Sequence, residues 1–146
     1  MTWSPPLSGH LIRYAYLWRH ETRLGRVEGS KDRPCAVVLA FRDAASGIRV
    51  VVAPVTHRPP DDPSVTVEIP GVTKRRLGLD EARSWIVLSE VNEFTWPGPD
   101  LRPGPDGTPA MGALPPRLFA AIRDLFVRLA REGRVKRVHR NLRTPR

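Results

Sequence analysis

Four polar side chains, Glu28, Arg33, Thr56 and His57, carry the strongest chemical signal in this sequence. Arg33 closes the polar stretch Glu28-Gly-Ser-Lys-Asp-Arg-Pro34 and stands just before the apolar run 35–41. Pro34 restricts the Arg33 backbone to an extended conformation, which suits a guanidinium that must meet a phosphate or carboxylate bidentately. Thr56 and His57 end a second apolar run, 48–55. The short gap between the runs contains Ser46-Gly47, so an antiparallel hairpin is the simplest connection. In such a pair the start of one strand lies beside the end of the other. Arg33, Thr56 and His57 are therefore expected at one end of a sheet, with Glu28 on the adjoining loop. Arginine can neutralise a phosphorane-like transition state, threonine can donate to it, and Glu28 or His57 can move protons. The group suits in-line attack on a phosphodiester without a metal, by the 2′-OH if the substrate is RNA. Each residue also has a plainer role: Arg33 capping a neighbouring carbonyl, Thr56 a strand end, His57 on the surface.

The elements that must position these groups are mostly short strands. Residues 11–18, 65–69 and 85–88 join the two apolar runs as expected strands, while 72–77 suits a single helical turn. The charged segment 20–32 and the Pro/Gly-rich segment 97–112 are expected as loops. One long helix is expected, from the recurrence of Leu114, Leu118, Phe119, Ile122, Phe126 and Leu129, with Pro115-Pro116 at its start and Gly133 as its stop. The expected architecture is mainly β with a C-terminal helix, a small β-barrel with the helix packed on it. Residues 1–8 are expected as a loose arm, 9–132 as the folded domain, and 133–146 as a basic, disordered tail.

Charge is uneven. Residues 117–146 carry ten Arg and Lys against Asp124 and Glu132, whereas residues 1–116 carry fourteen against thirteen. The basic end fits attraction to nucleic acid or to an acidic protein segment, and equally a solubilising tail. No apolar run approaches membrane-spanning length, and Met1-Thr-Trp-Ser-Pro-Pro lacks the layout of a secretory signal, so the expected compartment is the cytoplasm. Cys35 is the single cysteine, expected as a small core hydrophobe, and the four scattered histidines have no zinc-site spacing. No Gly-x-Ser-x-Gly turn supports a serine nucleophile, and no Gly-rich nucleotide loop occurs.

The layout Glu28-x4-Arg33-Pro34 plus an apolar strand, then Pro54-Val-Thr56, resembles the MazF/PemK/Kid toxins of type II toxin–antitoxin modules. The likeness extends through Glu68-Ile69, Leu77-Gly78-Leu79, Trp85-Ile-Val and Ser89-Glu90 to the terminal helix, over roughly residues 9–132. Segments 54–57 and 96–100 resemble the PemK-like branch most. The resemblance implies an SH3-like, CcdB/MazF-like barrel, a homodimer, and metal-independent cleavage of single-stranded RNA without a cofactor. It also implies growth inhibition, and restraint by a cognate antitoxin whose tail fills the RNA groove. By position it makes Arg33 the phosphate-binding and acid residue and Thr56 its assistant, with Glu28 in substrate handling or base work. Lys31, Arg58 and Glu90 complete the expected RNA-binding set, and Glu90 falls where some members place an acidic catalytic residue. Those members carry an arginine two residues earlier, where this chain has Leu88. His57 is then a substitute proton carrier. The alternative is a non-catalytic module on the same barrel that binds nucleic acid or protein, including a gyrase-inhibitor-like action.

Overall fold

The computed structural model describes residues 3–26, 29 and 31–140. In chain order the strands are β1 (His10–Tyr14), β2 (Arg33–Asp43), β3 (Gly47–Thr56), β4 (Thr66–Glu68), β5 (Trp85–Val87), β6 (Glu90–Thr95), β7 (Ala110–Ala113) and β8 (Lys136–His139). The helices are α1 (Arg19–Arg23), α2 (Gly71–Arg76) and α3 (Pro116–Arg131). The strands form a mainly antiparallel sheet in the order β4-β5-β3-β2-β1-β7, with β6 on β3 and β8 on β6. Among the described residues no helix is long and apolar enough to cross a membrane.

The two apolar runs do form the central hairpin. Its turn is tied by the Asp43 carboxylate, which accepts from the Ala45 N–H at 3.1 Å and the Ser46 hydroxyl at 2.6 Å. Gly47, at φ +90°, supplies the left-handed residue that closes it. β3 bonds to β2 on one edge and, on the other, to β6 through Arg49–Val52 and to β5 through Val55 and Thr56. Strands with neighbours on both edges and packing on both faces need continuous apolar sequence, which explains Val50, Val51, Val52, Ala53 and Val55 in one buried run.

Alternation sorts these residues into two cores. Ala36, Val38, Val51 and Ala53 face α3, whose Ile122 and Leu129 are fully buried. Cys35, Val37, Val50 and Val52 face an aromatic layer of Tyr14, Tyr16 and Phe94, where Tyr14 and Phe94 stack at 4.7 Å. Burial pushes the Cys35 thiol well above its ordinary range, as expected of a core cysteine. A bulge between Val37 and Leu39 shifts the β2 register and leaves Leu39 and Phe41 partly in solvent.

Several expectations need correction. The basic end is ordered beyond Gly133: β8 pairs in parallel with β6, from Glu90 beside Lys136 to Glu93 beside His139. Low apolar content misleads there, because backbone pairing and buried polar contacts hold the strand. Arg140 is 3% exposed, meets Asp100 at 2.9 Å, and donates to the Asn92 side chain and the Ala15 carbonyl. Residues 141–146 of the expected tail lie outside the described residues. The N-terminal arm is tied down as well, since the Trp3 indole donates to the Gly107 carbonyl and the Trp96 indole donates to the Trp3 carbonyl. The segment 97–112 contributes the start of β7 and the buried Asp100 and Leu101. The first strand stops at Tyr14 rather than residue 18, and α1 occupies part of the expected long loop.

Arg140→Ala strips the buried Asp100 carboxylate of its guanidinium partner and should lower unfolding free energy by about 3–5 kcal/mol in urea titrations. A loss below about 1 kcal/mol would show that β8 is not integral to the fold.

Candidate functional site

At the end of the β2–β3 pair, Cys35 lies opposite Pro54, and continuing that register by two residues brings Arg33 level with Thr56. Both line an open cleft of about 810 Å³ with Trp18, Lys31, His57 and Arg58. That size is ordinary for a ligand site. The juxtaposition expected from the hairpin therefore holds for three residues of the proposed set. Glu28 lies outside the described residues.

Two contacts fix the Arg33 guanidinium. One terminal nitrogen donates to the Val55 carbonyl at 3.2 Å, and the guanidinium lies over the Trp18 ring at 5.2 Å. The buried Nε has no hydrogen-bond partner among the described residues. The carbonyl-capping role foreseen for an ordinary arginine is thus present, yet it uses only part of the fork. Trp18 is itself set by α1, whose Glu21 carboxylate accepts from the Trp18 N–H at 2.9 Å. A Cβ on Gly29 would press into the Tyr16 carbonyl, so only glycine fits there.

Thr56 Oγ1 accepts from the Arg58 N–H at 3.1 Å, a strand-end cap that leaves the hydroxyl proton free to donate elsewhere. His57 meets Asp80 through Nε2 at 2.8 Å, with both side chains about half exposed. Asp80 also accepts from Lys74 Nζ at 2.7 Å. This hydrogen bond, with the charges of His57 and Lys74, holds the Asp80 carboxyl below its usual range. A His–carboxylate pair orients an imidazole, the arrangement a proton carrier needs.

Lys31 and Arg58 are exposed on the cleft, and Arg58 makes one long contact, 4.0 Å, to Asp61. Glu90 is placed differently. It heads β6 outside the cleft lining, where one carboxylate oxygen accepts from the Tyr16 hydroxyl and the Arg19 N–H, each at 3.1 Å. Burial raises its pKa, and the bonds from Arg19 and Tyr16 offset part of that rise. The carboxylate is committed to holding the β1–α1 connection rather than reaching into the cleft.

Sequence reasoning missed Asp80 and Lys74, and left Trp18 outside the catalytic set. Asp80 sits in a short charged loop after α2, with no periodicity to mark it. Lys74 interrupts no apolar pattern. Only the fold carries them to the end of β3. No protein-family model matches this chain, and no curated protein matches it.

The raised pKa of Glu90 gives a signed expectation. A carboxyl whose folded pKa is raised supports the fold below its unfolded value and loses that support as pH rises through the folded value. Glu90→Gln keeps an acceptor oxygen for Tyr16 and Arg19 but cannot ionise. Its stability relative to the parent should therefore climb as pH rises through and above the ordinary glutamate range, in urea titrations. An unchanged difference across that window would remove the burial argument.

Proposed function

We propose that this protein is a metal-independent endoribonuclease, the toxin component of a type II toxin–antitoxin module of the MazF/PemK kind, acting on single-stranded RNA. The observation that carries the reading is the placement of Arg33 level with Thr56, at the end of one antiparallel pair, in a cleft that His57 also lines. The mainly antiparallel sheet with its C-terminal helix is compatible with an SH3-like barrel of that family. A homodimer, restraint by an antitoxin tail lying along the cleft, and growth inhibition as the outcome belong to the same proposal.

In this reading the scissile phosphate lies against the unused donors of Arg33. The ring nitrogen of His57 that Asp80 does not engage takes the proton of the 2′-OH, and Glu28 is the competing base. The 2′-oxygen then attacks phosphorus, the bond from phosphorus to the 5′-oxygen breaks, and the departing oxygen takes a proton from water. The products are a 2′,3′-cyclic phosphate and a 5′-hydroxyl. Arg33 and the Thr56 hydroxyl stabilise the charge that gathers on the phosphoryl oxygens at the midpoint. Lys31 and Arg58 supply contacts to flanking phosphates that weaken with salt.

A second reading, binding without cutting, draws on the Arg33 bond to the Val55 carbonyl and the Thr56 bond to the Arg58 amide, which give both residues structural work. End-mapping of single-stranded RNA in excess EDTA separates the two. The wild-type protein should leave cyclic phosphate ends, and Arg33→Ala should lower the cleavage rate by about 10²–10³ or more while its thermal unfolding stays cooperative. An equally active Arg33→Ala protein would remove the mechanism, and RNA retained without cleavage would favour the binding module.

A further inference from the structure

Lys74 is an ammonium placed where lysines are seldom found. Its residue is 4% exposed, within α2, and its three N–H donors are matched by three acceptors: Asp80 Oδ1 at 2.7 Å, Ser84 Oγ at 2.6 Å and the Ala82 carbonyl. Burying an unmatched ammonium costs several kcal/mol, so this geometry is demanding. Stapling the loop 78–84 to α2 needs only Ala82 and Ser84. The third bond reaches a carboxylate that leads out to the cleft.

The Asp80 carboxylate bridges two side chains. Oδ1 accepts from Lys74 Nζ, while His57 Nε2 lies 3.1 Å from Oδ1 and 2.8 Å from Oδ2. Left to itself, a half-exposed aspartate on a loop would sample several rotamers, and the imidazole would turn with it. Lys74 cannot swing because it is enclosed.

We propose that Lys74 is a positioning residue, which anchors the Asp80 carboxylate from the protein interior so that His57 is held towards the cleft lined by Arg33 and Thr56. The Lys74–Asp80–His57 relay joins α2 to the end of β3, two elements distant in sequence. Its kinetic consequence rests on the endoribonuclease reading, whereas its conformational consequence does not.

The other charged groups that line the cleft around His57 are Arg58, Asp61 and Asp62 from the following turn, Lys31, Asp32 and Arg33 at the start of β2, and His20 from α1. All are common to every variant below. Differences between variants therefore report on Lys74 and Asp80 alone.

The experiment follows the His57 side chain by NMR at one fixed pH in the full-length protein, without RNA. In the parent the His57 χ1 couplings should read a single rotamer. Lys74→Met and Asp80→Asn should each release the imidazole, seen as averaging of those couplings. General loosening of the loop would average the couplings of Leu77 and Leu79 as well, and that result, or a His57 rotamer unchanged in either variant, overturns the proposal. If Lys74→Met does not fold, Lys74→Gln, which keeps donors for Ala82 and Ser84 without the ammonium, takes its place. A kinetic arm adds a double-mutant cycle on RNA cleavage. Lys74→Met should cost roughly tenfold to a hundredfold in the parent and nothing further in His57→Ala. Equal losses in both backgrounds overturn the positioning role. A parent that cuts no RNA overturns the ribonuclease reading instead, while the NMR arm still tests the relay.

Discussion

The ladder between β2 and β3 is the constraint on which the rest of the molecule depends. It places Arg33 at the same end as Thr56, and it supplies the residues that divide into two cores, one under α3 and one under the aromatic layer. Alternation makes the division strict, because a slip of one residue would send the valines that face α3 into the aromatic layer and reverse the rest. The bulge at Val38 relaxes that alternation at the far end of the pair, away from the cleft. Register and site geometry are thus one property of the hairpin.

Around this frame the cleft is assembled from polar groups with different degrees of freedom. Arg33 is held by a carbonyl, a tryptophan face and its own β-strand backbone. His57 is exposed and owes its orientation to Asp80. Under the proposed endoribonuclease reading, the contrast suits a division of labour between a rigid charge for a phosphate and an imidazole for proton transfer. Glu90 shows the opposite outcome for a polar group: its carboxylate holds the backbone at Arg19 and the Tyr16 hydroxyl, and so helps to set α1, on which Trp18 depends.

The hairpin and α3 were legible in the sequence because both advertise themselves by periodicity and punctuation. Cys35 to Phe41 and Ile48 to Val55 are apolar runs of strand length, and Ile122 and Leu129 recur at helical spacing between Pro116 and Gly133. Arg33, Thr56 and His57 followed from hairpin geometry alone. Asp80 and Lys74 did not, because their meeting with His57 depends on where α2 and its following loop pack, and no local pattern encodes that. The strand Lys136–His139 was invisible for a different reason. Its side chains are mostly charged, and its place comes from main-chain bonds to β6 and from Arg140 entering the interior beside Asp100. Hydrophobic patterning has no means of registering an arginine as a core residue.

The parallel pairing of β8 with β6 joins residues 46 positions apart, from Glu90 to Lys136, whereas β2 and β3 are joined by a tight turn. Closing the long segment costs chain entropy before any contact repays it, so the hairpin forms on a faster timescale than the β6–β8 edge. During that interval the backbone donors and acceptors along the outer side of β6 are open to another chain. Arg140, buried beside Asp100, fastens β8 along that border, so in the finished sheet the edge is covered by the chain's own end.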